Sequence, residues 1–558
     1  MIRGDAAAET LYARALALAR SSRLDSDAEL GPLFDAPPQN IDPEILTRLR
    51  QMYETGGWVL VESTIADLPS DLRWLFESDA VTLEQLATIH RTLGVTSNAD
   101  LAAAVGERTL QDLPGIGVEV EAAISAALPS LRARVPRIPL GRAFGLAEPF
   151  LERLRALPGV VWAHAAGSLR RGQDLVGDIE IVAAADAPRD VIEEALRVVE
   201  EPRCLHRSAR RLYLLDERVQ IGIRIPEPAN AGATLLYLTG SVRHFDALRA
   251  HAAATGWLLT PGGLYTSDGA LRPAASEDDI YRTIGLPPIP PEIRNGDDEI
   301  AAALRGELPT LVSPDAILGD LHMHSTWSDG RDSIEAMVLE CRTLGYQYLA
   351  ITDHSPHSAA SRNLTVEGVP RQAEEIRQLR ERYPDITILH GCEVDILPDG
   401  RVDFPDKVLE GFDLVLASLH EGLGHSPDQL LKRYVAAMKH PLVSMITHPT
   451  NRLLPHRPGY ELDYDRLFEM AVETRTLVEV DGAPAHLDMD GALARRAIAA
   501  GATLAISSDS HRATMLRRQM QLGVLTARRG WVEARHVVNT RPIEDVRAIL
   551  RAKRDTVR

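Results

Sequence analysis

Only four of the 61 basic residues in this 558-residue chain are lysines, Lys407, Lys432, Lys439 and Lys553, so the first 406 residues carry no lysine amine. Schiff-base chemistry by lysine is excluded over that stretch. Cysteine is also scarce. Cys204, Cys341 and Cys392 are isolated and odd in number, which excludes a disulfide framework and a CxxC zinc ribbon and leaves buried small hydrophobes as their reading. No apolar run approaches the ~20 residues that span a bilayer. The opening MIRGDAAAETLYARA has acids within its first ten residues and no apolar core, unlike a signal or transit peptide. A cytoplasmic monomer without membrane contact is expected. Positive charge is lacking too: the net charge of -18 repels polyanions at long range, so any nucleic-acid contact falls to local basic patches. LRARVPRIPLGR holds Arg132, Arg134, Arg137 and Arg142 without an acid, and RCLHRSARR holds four more arginines. Such runs are more often solvated faces than phosphate sites.

What is present divides the chain into several modules. Residues 1–137 show helical periodicity broken at Gly31-Pro32, Pro37-Pro38 and Gly56-Gly57, which predicts an all-helical region. Within it, TLQDLPGIGVEVEAAISAAL sets Gly115 and Gly117 between two helix-like stretches, a helix-hairpin-helix pattern. Its turn amides could hold a DNA phosphate, or it could be a plain turn between packed helices. Residues 138–235 alternate VVWAHAAGS, DIEIVAAA, RRLYLLD and RVQIGIRI with a helix-like APRDVIEEALRVVEE, an α/β unit on a small sheet. A mixed segment runs over 236–294, and 295–317 reads as a short helix plus linker.

From 318 to 558 short apolar runs end in polar clusters: AILGDLHMH, YLAITDH, ITILHGCEVD, LVLASLH, VSMITH, TLVEVDG and ATLAISSDSH. Amphipathic helix-length segments separate them. Such alternation predicts a parallel (β/α) barrel whose chemistry gathers at the C-terminal strand ends. In DLHMHSTWSDG, His322 and His324 share one side of a strand, about 6 to 7 Å apart. Asp329, His354, Glu393, His420, His448, Asp509 and His511 arrive from this stretch and other strand ends. Nine nitrogen and oxygen donors exceed the roughly four to six that one ion takes. They imply two or three divalent ions, with Zn²⁺ or Mn²⁺ favoured and Mg²⁺ possible.

The runs DLHMHSTWSDG, ITDHS, GCEVDIL, ASLH, ITHPTNRLL and SSDSH resemble the PHP (polymerase and histidinol phosphatase) family over residues 318–558. The resemblance implies a distorted seven-stranded barrel with a trinuclear site formed by the nine donors named above. It implies phosphoester hydrolysis by a metal-bridging hydroxide. Asp353, Asp395 and His357 are expected to orient ligands, and Arg452 to clamp a phosphate.

AAGSLRRGQDLVGDIEIV resembles the nucleotidyltransferase signature of family X DNA polymerases. LLYLTGSVRHFDALRAHAAATG and IYRTIGLPPIPPEIRNGDDEI resemble the thumb that follows it in bacterial members, which carry a PHP domain C-terminally. The order here is then a helical DNA-binding region (1–137), palm (138–235), thumb (236–294), linker (295–317) and PHP phosphoesterase (318–558). Gly167, Ser168, Arg170 and Arg171 are expected near phosphate. The resemblance breaks at the polymerase carboxylates. Asp178 and Glu180 occupy the first two positions, but the third is Gly222, and Phe245 replaces the usual asparagine. Asp216 lies about 20 Å back along the strand and Glu227 faces the other way. Two-metal transfer needs the third acid, so little or no polymerase activity is expected. The missing lysines likewise remove abasic-sugar lyase chemistry. The implied activity is metal-dependent hydrolysis of DNA at 3′ ends, gaps and abasic sites in repair: 3′-5′ exonuclease, with possible 3′-phosphatase and abasic-site endonuclease. An active gap-filling polymerase and a histidinol-phosphate-type phosphatase are the alternatives.

Overall fold

The computed structural model describes residues 80–555, apart from 96, 135–136, 201–202, 217–218, 359–361 and 423, together with Leu72 and Leu75. The turn signals at positions 31 to 57 lie outside the described residues. The chain falls into two compact units, residues 1–136 with 188–224 and residues 137–187 with 225–558. Among the described residues no helix is long and apolar enough to cross a membrane.

In the first unit, α1 (Leu83–Leu93) and α2 (Asn98–Gly106) each open on a capping box, Thr82 with Gln85 and Ser97 with Asp100. The reciprocal bonds satisfy backbone donors that would otherwise be orphaned at a helix start. Helix α3 (Val118–Arg134) follows the glycine turn, and Leu86, Ile89, Leu101, Leu110, Ile116 and Ile124 form the core between them.

In the second unit, α4 (Leu140–Arg155) precedes β1 (Val160–Ala165), the one-turn helix α5 (Gly167–Arg170) and β2 (Ile179–Ala185), and β1 pairs antiparallel with β2. The first unit resumes with α6 (Pro188–Leu196) and an antiparallel meander of β3 (Arg203–Arg207), β4 (Arg211–Asp216) and β5 (Val219–Arg224). Cys341 and Cys392 are buried as expected, but Cys204 is exposed. It sits on β3, the outer strand of this meander, whose pleat turns alternate residues to solvent. A helical segment follows, built on α7 (Ala231–Thr239), α8 (Val242–Ala254), α9 (Glu277–Thr283) and α10 (Glu299–Arg305). Phe245 is part of its core, its ring edge-on to Tyr237 at 5.1 Å.

The barrel consists of seven parallel strands that neighbour one another in sequence order. They are β6 (Gly319–Asp320), β7 (Tyr348–Ile351), β8 (Thr387–Asp395), β9 (Leu414–Ser418), β10 (Met445–Ile446), β11 (Leu477–Asp481) and β12 (Leu504–Ser507). A parallel bridge between Met323 and Ser510 joins the extensions of the first and last strands, so the sheet nearly closes. Helices between the strands start on side-chain caps from Ser333, Ser426, Asp463 and Asp490, the residue types preferred there.

Strand periodicity creates the site. The face that carries Leu389, Leu416, Leu477 and Ala505 joins the apolar core at one end, where Val546 and Leu550 of the C-terminal helix α11 (Ile543–Arg554) close it. Two or four residues further on, the same face carries Glu393, Ser418 and Glu479, and Asp509 follows just past the end of β12. The alternation that fills the bottom of the barrel therefore delivers polar groups to the strands' C-terminal ends.

Candidate metal centre

The nine expected donors converge at that end. His322 Nε2 and His324 Nε2 lie 3.2 Å apart. His324 Nε2 is 3.1 Å from Asp509 Oδ1, and His322 Nε2 is 3.4 Å from Glu393 Oε2. Glu393 is central: His354 Nδ1 stands 2.9 Å from one of its oxygens and His448 Nε2 2.9 Å from the other, with His420 Nε2 at 3.8 Å. Asp329 Oδ1 meets His511 Nε2 at 3.2 Å and His354 Nε2 at 3.7 Å. Three overlapping groups result, in each of which the ligand atoms lie within 4.8 Å of one another: His324, Asp329, His354 and His511; His322, His324 and Asp509; His354, Glu393 and His420.

These spacings fit shared cations. Two donors at about 2.1 Å from one ion, in tetrahedral or octahedral arrangement, stand roughly 3.0 to 3.4 Å apart. His354 Nδ1 lies close to Glu393 yet makes no aligned hydrogen bond, and buried His324 Nδ1 has no partner among the described residues. Orphaned buried nitrogens are costly for a fold that has no use for them.

The electrostatics follow from packing imidazoles among acids. Burial opposes the charged form of His511, but Asp329 and Asp509 outweigh it and raise the imidazole to about 9. His324 is lowered to about 4 by burial and by His354 and His511 beside it. Glu393 is held well below the carboxylate range because His354 and His322 overcome its burial. His448 and Asp509 also adopt positive φ, 27° and 49°, a backbone strain that tends to be retained at functional sites.

The expected orienting residues divide. Asp395 Oδ1 bonds His420 Nδ1 at 2.8 Å, fixing that ring. Asp353 accepts from the backbone and hydroxyl groups of Ser325 and Ser328 and from Gln372, which ties down the turn leading to Asp329. His357 is exposed, 3.5 Å from Glu421, and its backbone N–H donates to Asp403. Arg452 does not offer a free fork for a phosphate. It donates to Asp174 at 2.8 Å and to the carbonyls of His486 and Leu487.

Other contributors were not expected. Glu479 receives His322 Nδ1 at 2.8 Å on one oxygen and the His448 N–H at 2.8 Å on the other, and Asp488 accepts the N–H groups of Thr450 and Arg452. The signal for Glu479 was present in TLVEVDG, where it shares the barrel-facing parity of Leu477; Asp488 lies outside that run.

In the front half, Gly115 takes φ +75° with open space around it, and its carbonyl accepts Gln85 Nε2 at 2.9 Å. Gly117 is exposed, as is Arg137; the side chains of Arg132 and Arg134 lie outside the described residues. Gly167 takes φ +63° where α5 begins, with Ser168 beside it. Arg170 is paired with Glu277 at 2.7 Å and Arg171 donates to the Thr239 carbonyl, so both are engaged internally. Glu180 is buried and Asp178 half-buried, and Gly222 pairs with Tyr213 across the meander.

Residues 320–481 match the PHP domain family and residues 234–295 the DNA polymerase beta thumb. The PHP match stops before Asp509 and His511, which follow the barrel's last strand. The DNA polymerase/3′-5′ exonuclease PolX of Bacillus subtilis (strain 168) is 34% identical over 507 residues, covering 90% of this chain and 88% of that protein. The chain belongs to the family X DNA polymerases fused to a C-terminal PHP domain. Shorter likenesses join it: a probable phosphatase of Syntrophotalea carbinolica, 31% identical over 29% of this chain and 64% of that protein, and the probable phosphatase TTE1963 of Caldanaerobacter subterraneus, 28% identical over 34% and 75%. In this PHP barrel the clustered imidazoles and carboxylates make a divalent-metal site of a metal-dependent hydrolase.

Proposed function

We propose that the PHP barrel hydrolyses DNA at its 3′ ends, as a 3′-5′ exonuclease with 3′-phosphatase and abasic-site endonuclease activity in repair. The nine donors hold two or three divalent ions, Mn²⁺ or Zn²⁺ with Mg²⁺ accepted. The observation that carries this reading is the near full-length likeness to a protein named polymerase/3′-5′ exonuclease, against phosphatase likenesses that cover only 29% and 34% of the chain.

In the exonuclease step a water oxygen bonds to phosphorus, the P–O3′ bond breaks, and the water proton passes to the departing 3′ oxygen. Divalent ions, when bound, would supply polarisation of the phosphoryl oxygens and activation of that water. The chain's own part is orientation. Asp395 fixes His420, Glu479 fixes His322 and the backbone of His448, and Asp353 sets the turn carrying Asp329. Glu393, between His354 and His448, would help to hold those ions. The nucleotidyltransferase-like module keeps Asp178 and Glu180 but has Gly222 at the third acid position, and its part is DNA holding rather than synthesis.

The test uses 5′-labelled oligonucleotides ending in 3′-hydroxyl or 3′-phosphate, or bearing an internal abasic site, with Mn²⁺, Zn²⁺ or chelator. Mn²⁺- or Zn²⁺-dependent shortening, lost in His324→Ala and Asp509→Ala, is expected. Hydrolysis that persists in both variants refutes the assignment. A small-molecule phosphatase is the second reading, favoured by the phosphatase likenesses, and would cleave p-nitrophenyl phosphate without competition from DNA.

A further inference from the structure

Arginines around the barrel are mostly consumed by partners. Arg452 and Arg529 share Asp174, Arg528 takes Glu292, and Arg495 takes Asp298. Three beside the metal centre differ. Arg331 follows Asp329 by two positions, Arg512 follows His511 directly, and Arg362 comes from the segment after β7. The Arg331 N–H donates to the His511 carbonyl at 2.8 Å, so the Asp329 and His511 segments run side by side. The Arg362 guanidinium stands 3.5 Å from the Gly330 carbonyl, bringing it to the same edge. Asp332, the acid adjoining Arg331, turns a carboxylate oxygen to the Ala513 N–H at 2.8 Å. Among the described residues no carboxylate lies within 4.0 Å of the charged nitrogens of Arg331, Arg362 or Arg512, and all three residues are exposed.

We propose that Arg331, Arg362 and Arg512 form a rim that grips the backbone phosphates of a polynucleotide strand whose end lies at the metal centre. The proposal rests on the reading that the barrel acts on nucleic-acid ends, and adds which edge the strand crosses: the side of Asp329 and His511. The chain carries 79 acids against 61 bases, so three guanidiniums without an acid partner on one edge are a local exception to its composition. The guanidinium fork suits phosphate oxygens, and a positive edge beside a centre for anionic substrate concentrates that substrate. A small phosphomonoester occupies the ions alone; a strand brings further phosphates that reach the rim. The rim therefore selects polymer over monomer.

The experiment uses the full chain, with Arg331, Arg362 and Arg512 changed to alanine singly and together, and a triple Arg→Lys variant that keeps the charge. Fluorescence anisotropy with a labelled single-stranded oligodeoxynucleotide in chelator is followed from 50 to 300 mM salt. Each backbone phosphate lost should flatten the log affinity against log salt slope by about 0.7, so the triple alanine variant is expected to lose about 2 from it and at least ~10-fold in affinity at low salt. The lysine variant is expected between that variant and wild type. With Mn²⁺, the triple alanine variant should raise KM for the oligonucleotide by about the same factor and leave p-nitrophenyl phosphate turnover within ~2-fold. Unchanged affinity and slope would overturn the rim, as would an equal loss on p-nitrophenyl phosphate, which would mark the arginines as supports of the metal centre. If the wild type hydrolyses p-nitrophenyl phosphate and no oligonucleotide, the exonuclease reading fails while the binding isotherms still judge the rim.

Discussion

Glu393 and Glu479 show what a single residue does here and how much of it the sequence could tell. Glu393 stood out because GCEVD ends a strand and resembles a known ligand motif; the structure places it between His354 and His448. Glu479 did not stand out, because an acid inside an apolar run has no partner until the barrel closes and His322 arrives from 157 positions away. Arg452 shows the converse. Its motif suggested a phosphate ligand, but side-chain destination depends on a distant segment, and Asp174 takes it. Since Glu479 holds two parts of the centre, Glu479→Gln should weaken it without removing a ligand. The amide retains one acceptor but presents a donor to the other contact, the ring N–H of His322 or the N–H of His448. A loss of about 10- to 100-fold in metal affinity or activity is expected, read as metal bound per chain after desalting. Hydrolysis should recover partly with excess Mn²⁺, which distinguishes a loosened site from a missing one. Asp395→Asn should act in the same way on His420 alone and cost less.

At the scale of elements, the strands and helices of the barrel were legible because their periodicity is local, and caps such as Ser426 and Asp490 mark helix starts in the sequence. The contacts that join elements were not. Glu277 at the start of α9 is buried and receives Arg170 at 2.7 Å and Arg294 at 2.7 Å; nothing in GSLRRG or PEIRNG announces that meeting. Burial alone would raise this carboxyl, yet Arg294 and Arg170 bring it down to about 2. Its folded pKa lies below the unfolded value, so its stabilisation is present in full above about pH 4.5 and is lost as pH falls toward 2. Glu277→Gln leaves the buried Arg294 and the half-buried Arg170 undercompensated and should cost about 3 kcal/mol at pH 7. Urea unfolding followed by fluorescence should show a wide gap between wild type and variant at pH 7 that narrows steadily below pH 4. A gap that stays constant across this range would mean that the carboxylate charge is not what the arginines hold.

For the whole molecule, the front and back halves differ in which acids they retained. The barrel keeps all nine donors, whereas the nucleotidyltransferase-like module keeps Asp178 and Glu180 and has Gly222 at the third position. This contrast was readable from the sequence because a metal site is defined by residue types at strand positions, and a glycine offers no ligand atom. A catalytic ion held by two acids rather than three loses stabilisation of the developing charge on the primer oxygen, at a cost of several powers of ten in rate. Wild-type protein given a gapped primer-template, dNTPs and Mn²⁺ should therefore extend the primer barely or not at all. Gly222→Asp is the informative variant, because β5 already presents that position in a regular antiparallel ladder opposite Tyr213. If the missing carboxylate is the main defect, the variant should gain at least ~10-fold in extension, and the gain should vanish when Asp178 is also changed to alanine. Efficient extension by the wild type would show that two acids suffice in this chain. A folded Gly222→Asp variant without any gain would instead place the loss elsewhere in the module, with Phe245, packed into the thumb core beside Tyr237, as the next position to change.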